Sequence, residues 1–178
     1  MRDFEDYCWR DLVSDEDLYI YASYVRSRSV GPKPVVVVVH PGDAPSGDTW
    51  RQDAARLLSE ARTRNIPVVH SLPPNSTPAL ATRDGEPLVQ RPCESAFFSS
   101  DLERTLRRQG ARSLILCGGP SSAALRASAV EGKSFGYKVA IAEDTVGDVS
   151  TFLHKVALFE IAHKYADVMS LEELVSQL

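Results

Sequence analysis

The sequence predicts an α/β fold in which helices cover both faces of a doubly wound, mostly parallel sheet, giving three layers. A continuous β-branched run at residues 35–39 is typical of a parallel strand buried on both faces. Shorter apolar segments at 66–70, 113–117 and 137–142 have the length of further strands. Helical patterns separate these segments one by one, which is the order of elements in a doubly wound sheet.

The first 30 residues lie outside this alternation. We predict that residues 1–30 form an extension with one helix, which a capping-box pattern at Ser14–Asp17 opens and which runs to about Arg28. Residues 31–178 are predicted to form one α/β domain, because a chain of 178 residues suits a single core. The extension is aromatic and lies outside the core pattern.

The remaining elements follow from start and stop signals. Asp48 or Thr49 can begin a helix whose apolar residues recur at helical spacing. A proline-rich stretch at 71–87 predicts a long surface loop, which in a compact domain is often an active-site cover. The other predicted helices span residues 100–110, 122–130 and 151–165, with a terminal helix that begins at Ser170.

Composition and charge exclude several classes of protein. Twenty basic and 24 acidic side chains give a net charge of −4, so no nucleic-acid partner is expected. The longest apolar run is too short to cross a membrane, and the acidic N-terminus lacks the apolar stretch of a signal peptide. Three cysteines without a CxxC spacing indicate the reducing cytoplasm.

The ends of the predicted strands locate a candidate site. In doubly wound sheets, ligands bind beyond the carboxyl ends of the strands, near the point where the strand order reverses. This rule selects His40, His70 and residues 118–122. We interpret His40 as functional, the alternative being a histidine bonded to a backbone carbonyl, and His70 as a packing or supporting residue. No HxH or HxxxH spacing occurs, so neither a metal nor another cofactor is expected.

Five motifs together carry a resemblance to a known family. They are the strand ending at His40 and the segments Asn65–His70, Arg91–Phe97, Leu114–Leu125 and Gly136–Asp144. From residue 34 onward the chain resembles the isochorismatase-like cysteine hydrolases, which include nicotinamidases, N-carbamoylsarcosine amidases and isochorismatases. The resemblance implies their α/β fold and a homodimer or homotetramer, in which the extension at residues 1–30 wraps around a neighbouring subunit.

The family's catalytic positions are changed in this sequence. The family uses an Asp as general base, a Lys beside it and a Cys nucleophile, and the matching positions here are His40, Arg91 and Ala124. Alanine carries no nucleophile, so a thioester route through this position is closed. A guanidinium stays protonated and does not shuttle a proton as a lysine can. The resemblance therefore implies the family fold without its usual triad.

The turn before position 124 matches the family more closely. The family has a cis peptide there, and the matching bond is Gly119–Pro120, where proline lowers the cost of the cis form. Backbone N–H groups of residues 121–124 are expected to form an anion hole. The substrate-binding positions implied by the resemblance are Asp43, Trp50, Phe97, Gly119, Pro120, Ser121, Ser122 and Ala124.

Each candidate also has a structural interpretation. Asp43 and Trp50 could be loop and helix-cap residues, and Ser121 and Ser122 could cap the helix that follows them. Arg91 could form a structural ion pair instead of touching a ligand. His154 and His163 are interpreted as structural, and Cys117 as a buried strand residue.

Two classes of function remain, with a third of lower weight. The first is an enzyme that acts on a small, anionic metabolite of secondary metabolism by acid–base chemistry, with His40 transferring the proton and Arg91 binding a carboxylate. The reaction could be hydrolysis, elimination, isomerisation or cyclisation. The second is a pseudoenzyme that serves as a binding or scaffolding subunit. The third is a cysteine amidase that uses Cys93.

Overall fold

The described chain is built around one parallel sheet. A computed structural model describes residues 2–44 and 46–178. Within these ranges the sheet has six strands in the order β3-β2-β1-β4-β5-β6, and every pairing is parallel. The strands are β1 Pro34–Val39, β2 Val68–Leu72, β3 Leu88–Gln90, β4 Ser113–Gly118, β5 Lys138–Val146 and β6 Asp167–Met169. This topology confirms the predicted fold class.

Helices form the two outer layers. They are α1 Asp15–Tyr21, α2 Trp50–Thr63, α3 Leu102–Arg108, α4 Arg126–Ser134, α5 Thr151–Lys164 and α6 Leu171–Val175. The sheet grows from β1 toward β3 on one side and from β4 toward β6 on the other. Because crossovers between parallel strands are right-handed, the two directions place their helices on opposite faces. Accordingly, α2 packs with α6, and α4 packs with α5.

The centre of the sheet explains the β-branched run. Strand β1 lies between β2 and β4, and residues 35–39 are each at most 1% exposed. The strand order reverses between β1 and β4, so the switch point lies beyond Val39 and Gly118. The two strand ends approach closely there. Gly118 has a φ of +114°, and a Cβ on it would overlap the Val39 carbonyl oxygen.

The structure moves several element boundaries. Helix α1 has the predicted capping box but ends at Tyr21, and a short 3₁₀ turn follows it at Ala22–Tyr24. Strand β2 begins two residues later than predicted, after Pro67. The edge strand β3 was not predicted, because it has three residues, two of them exposed, and gives no periodic signal. The predicted helix at 122–130 is a π turn at Ser121–Leu125 followed by α4.

The N-terminal extension packs on its own chain. Trp9 is 0% exposed and joins the main core. The backbone N–H of Cys8 donates to Glu143 at 2.9 Å, and Nε2 of His163 lies 2.8 Å from Glu5. The aromatic side chains of this segment contact α5 of the same molecule, where Trp9 and Tyr21 pack edge-on against Phe159. Its role toward a neighbouring subunit stays a prediction.

Candidate functional site

His40 follows β1 at the switch point, and its ring is fully enclosed. The side chain is 0% exposed. The Ala79 backbone N–H donates to its Nδ1 at 2.9 Å, and its Nε2 lies 2.9 Å from Nδ1 of His70. Both ring nitrogens are therefore engaged by protein groups. Ala79 belongs to the long loop between β2 and β3, so that loop closes over His40.

The hydrogen bonds continue outward from His70 to the surface. Nε2 of His70 lies 2.9 Å from Oε2 of Glu86. Glu86 accepts a bidentate pair from Arg62 at 2.7 and 2.8 Å, and a further bond from the Arg83 backbone N–H at 2.8 Å. A series of hydrogen bonds through four side chains, His40–His70–Glu86–Arg62, thus ties the loop to β1, β2 and α2. The two histidines are buried and the ion pair is partly exposed.

The hydrogen-bond partners of His40 and His70 determine the tautomer and the protonation state of both imidazoles. Nδ1 of His40 accepts from a backbone N–H, so Nε2 of His40 carries the proton and donates it to His70. Nε2 of His70 then donates to the Glu86 carboxylate. Burial, with His70 and Arg91 adding to it, lowers the pKa of His40 to about 3. Burial also lowers the pKa of His70, against the attraction of Glu86. Both rings are neutral at pH 7.

The carboxylate of Glu86 completes the chain as an anion. Burial alone raises the pKa of Glu86, but hydrogen bonds from Arg62, His70 and the Arg83 backbone outweigh it and lower that pKa to about 2. The negative charge is matched by the Arg62 guanidinium and not by a histidine. The two imidazoles therefore serve as neutral links between the strand ends and this ion pair.

Arg91 follows β3 and points its guanidinium at the same strand ends. Nη2 donates to the His40 backbone carbonyl at 2.7 Å, and Nη1 donates to the Cys93 carbonyl at 2.9 Å. Arg91 is 4% exposed, and its Nε is buried without a hydrogen-bond partner. No carboxylate of the described residues forms an ion pair with it. Burial lowers the pKa of Arg91, yet a guanidinium remains charged at neutral pH.

Arg91 lines a cavity of about 300 Å³ at this edge of the sheet. Asp43, Cys93 and Glu94 also line it, and all three are exposed. Four prolines and Ala44 form the rest of the wall, namely Pro41, Pro73, Pro74 and Pro92. Pro73 and Pro74 belong to the long loop that also caps His40. The cavity therefore has one buried cation and a rigid, mostly apolar wall.

The turn that carries Ala124 lies outside this cavity lining. The Gly119–Pro120 peptide is cis, as predicted. The Ser121 backbone N–H donates to the Gly147 carbonyl at 2.8 Å, and the Ser122 backbone N–H donates to the Asp148 carboxylate at 2.9 Å. The Ser122 hydroxyl donates to the same carboxylate at 2.6 Å. The expectation of an open anion hole is therefore wrong, because Asp148 of the chain itself occupies it.

The remaining predicted site residues are packed outside the lining of the Arg91 cavity. Nε1 of Trp50 donates to the Gly47 carbonyl at 3.0 Å, and a Cβ on Gly147 would overlap the indole. Ala124 is 0% exposed. Phe97 is buried and stacks on Phe135 with ring centroids 5.3 Å apart. Among the predicted site residues, the structure thus gathers Arg91 and Asp43 around the cavity and places the others in packing or capping positions.

Three polar residues of the site region were not identified from the sequence, namely Arg62, Glu86 and Asp148. Glu86 and Arg62 lie on either side of His70 in the sequence but match no motif, and only the tertiary structure joins them. Asp148 follows β5 and was not singled out, although acidic residues after a strand favour helix starts. His154, predicted to be structural, has its Nδ1 3.0 Å from the Ser121 hydroxyl and so supports the same turn.

The described residues contain neither a cluster of three metal-ligating side chains nor a helix that could span a membrane. Across residues 2–44 and 46–178, no three His, Cys, Asp or Glu side chains are placed to hold a metal ion together. Within the same ranges, no helix is long and apolar enough to cross a membrane.

Comparisons with known proteins agree on one family. The isochorismatase domain model matches residues 34–173. Maleamate amidohydrolase of Pseudomonas putida is 34% identical over 100 residues, which cover 56% of this chain and 47% of that protein. N-carbamoylsarcosine amidase of an Arthrobacter species is 22% identical over 203 residues, covering 90% of this chain and 77% of the relative.

Solved structures support the same fold. A cysteine hydrolase from Pseudomonas syringae superimposes with a TM-score of 0.77 at 18% identity, covering 85% of this chain and 97% of the other. An isochorismatase family protein from Burkholderia thailandensis gives a TM-score of 0.76 at 21% identity, covering 86% of this chain and 99% of the other.

Proposed function

Since this chain belongs to the isochorismatase family, we propose that it binds a small carboxylate-bearing metabolite at Arg91 and does so without covalent catalysis. The observation that carries the proposal is the buried guanidinium in a cavity wall with no anionic partner among the described residues. An unpaired buried charge costs several kcal/mol, so a structure keeps one where a partner offsets that cost. A bound carboxylate is such a partner.

The hydrogen-bonding capacity of Arg91 fits a carboxylate. Each terminal nitrogen of a guanidinium carries two hydrogens, and in this structure each has one backbone carbonyl as acceptor. The second hydrogen of each nitrogen is left for a ligand. Two parallel N–H···O bonds to one carboxylate are stronger and more directional than bonds between neutral groups. The two carbonyl contacts hold the guanidinium in place beforehand, which reduces the entropy lost on binding.

The absence of a covalent step follows from Ala124. The family position of the nucleophile has no thiol in this sequence, and Ala124 is 0% exposed. Cys93 lines the cavity, but among the described residues no base forms a hydrogen bond with its thiol. A binding protein of this family is therefore the function that the geometry supports best.

Acid–base catalysis by His40 is the second candidate. It is favoured by the bond from Arg91 to the His40 carbonyl, which places His40 next to the guanidinium. In this structure the ring has no free nitrogen, so His40 reaches a ligand only when the loop around Ala79 moves away. A base whose pKa is about 3 takes up protons poorly at pH 7, and exposure of the ring would restore its basicity.

Calorimetric titration with paired ligands tests the proposal. Benzoate and benzamide have similar shapes, and we expect benzoate to bind at least tenfold more tightly because only the carboxylate pairs with Arg91. Arg91→Gln should remove this preference, whereas the control Arg104→Gln, which alters an exposed ion pair with Asp101, should keep it. If wild-type protein binds the amide as tightly as the acid, the proposal is wrong, whether or not the Arg91 variant folds.

Mass spectrometry separates the two candidate functions. A bound carboxylate recovered unchanged from wild-type protein is expected for the binding function. Turnover that disappears in His40→Gln but persists in Arg104→Gln would establish the acid–base enzyme instead.

A further inference from the structure

The Arg91 cavity has opposite charges at two depths. At its floor lies the buried guanidinium of Arg91, which is 4% exposed. At its rim lie the carboxylates of Asp43 and Glu94, both on exposed residues. The lining therefore presents a desolvated positive charge inside and two hydrated negative charges outside.

The rim carboxylates are not neutralised by their neighbours. Within the described residues, neither Asp43 nor Glu94 takes part in an ion pair or a side-chain hydrogen bond. Burial lowers the pKa of Arg91, and the attraction of Glu94 through space offsets this lowering only in part. Among the described residues, Glu94 does not come within ion-pair distance of the guanidinium. Both acids are thus free to meet a cation that enters the cavity.

A ligand with only a carboxylate would pair with Arg91 but would leave the two rim carboxylates without a counter-charge. Its anion would pass two like charges at the rim before it reached Arg91. A ligand with only an amine would meet the acids but would place its cationic or apolar end against the guanidinium. The whole lining, with one positive and two negative residues, is complementary to a molecule that carries both charges.

We propose that the ligand is a zwitterion of amino-acid type, with its carboxylate on Arg91 and its ammonium group facing Asp43 and Glu94. This inference rests on the proposed function and names its ligand class. The cavity volume of about 300 Å³ lies at the small end of ligand pockets, which fits one amino acid. The four prolines offer a stiff apolar wall for a short hydrocarbon side chain.

The proposal explains why the two kinds of charge lie at different depths. A carboxylate gains most from a guanidinium in a dry environment, since the low dielectric strengthens the pair. An ammonium ion is strongly hydrated and loses less when it stays at the rim, where water still reaches it. The ligand is thereby oriented with its carboxylate inward.

Saturation-transfer NMR with the twenty standard amino acids as probes tests the inference. At least one should bind, and the strongest binder is then compared with its N-acetyl derivative, which lacks the positive charge, and its amide, which lacks the negative charge. We expect the amino acid to bind at least fivefold more tightly than either derivative. The double variant Asp43→Asn/Glu94→Gln should bring the amino acid and its N-acetyl derivative to equal affinity. Asp84→Asn, at an exposed site away from the cavity lining, is the matched control.

The outcomes distinguish this inference from the proposed function. If the N-acetyl derivative binds through Arg91 as tightly as the amino acid, the carboxylate site stands and the zwitterion is wrong. The zwitterion is also wrong if the double variant leaves the affinity ratio unchanged, or if none of the twenty amino acids binds while benzoate does. If neither amino acids nor benzoate bind, both proposals fail.

Discussion

Nε2 of His40 lies 2.9 Å from Nδ1 of His70, and both rings are 0% exposed. This bond joins the ends of the adjacent strands β1 and β2. It also closes a series of donors and acceptors that runs from the Ala79 backbone to the Glu86 carboxylate, with no unpaired ring nitrogen. Both ring nitrogens of His40, at the switch point of the sheet, thus have hydrogen-bond partners within the protein. These bonds hold the covering loop on the strands.

Replacing His40 should destabilise the fold. His40→Leu keeps the volume but leaves the Ala79 N–H and Nδ1 of His70 buried without partners, at a cost of about 1–3 kcal/mol for each group. We therefore expect the free energy of unfolding, measured with urea, to fall by about 2–5 kcal/mol. Arg51→Ala, which removes an exposed ion pair with Asp48, should change it by less than about 0.5 kcal/mol. A His40→Leu protein as stable as the control would show that the chain of hydrogen bonds contributes nothing.

The two histidines should make stability fall in acid. Their pKa values are lowered in the folded state, that of His40 to about 3, whereas the unfolded value is 6.5. Below pH 6.5 the unfolded chain binds protons that the folded chain does not, so stability decreases as the pH falls from 6.5 toward 3. Each histidine contributes a slope of about 1.4 kcal/mol per pH unit.

Urea titrations between about pH 5 and pH 8 measure this slope, in a range where most carboxylates stay ionised. The free energy of unfolding of the wild-type protein should be constant above the pH range in which histidine titrates, and it should decrease below that range. In His40→Leu, the free energy of unfolding should depend less steeply on pH on the acid side, with a slope smaller by up to about 1.4 kcal/mol per pH unit. If the free energy of unfolding of His40→Leu depended on pH as steeply as that of the wild type, His40 would not be a neutral buried residue in the folded state.

One of the three thiols should react quickly in the native protein. Cys93 is exposed, Cys117 is 0% exposed, and burial raises the pKa of Cys117 to about 12. Cys8 is half-buried, and burial together with Glu143 raises its pKa as well. Iodoacetamide labelling followed by peptide mass spectrometry should therefore find Cys93 modified first.

The same labelling reports on the Arg91 cavity. A bound carboxylate should slow the labelling of Cys93, which lines the cavity, and leave the slow labelling of Cys8 unchanged. Cys93→Ser removes the fast phase and serves as the control. Equal labelling rates with and without a saturating ligand would place that ligand elsewhere.

Restoring the family thiol should not restore thiol catalysis. In Ala124→Cys the new side chain lies at a position that is 0% exposed, and the nearby Ser122 N–H is already bonded to Asp148. We expect no ammonia release from nicotinamide or N-carbamoylsarcosine above the level of wild-type protein, and slow alkylation of residue 124. Measurable amidase activity of this variant would show that the closed turn opens in solution.

The fold class and the family could be predicted from the sequence alone. The β-branched run at 35–39 is typical of a parallel strand buried on both faces, and the alternation of strand and helix patterns after it predicted a doubly wound sheet. The family motifs also identified His40, Arg91 and Ala124 as the changed positions, because each stands where the family has a catalytic residue. Element boundaries were less certain, since a short edge strand and a π turn leave no periodic signal in the sequence.

Only the tertiary structure decided what those positions do. Whether His40 faces a ligand or the protein depends on Ala79, His70 and Glu86, which are 30 to 46 residues away and meet it only when the loop folds. Whether the helix start near Ala124 is open depends on Asp148, and whether Arg91 is paired depends on every carboxylate within reach. Charge and hydrogen bonding act over a few ångströms of space regardless of chain separation, so a motif gives the residue types of a site but not their partners.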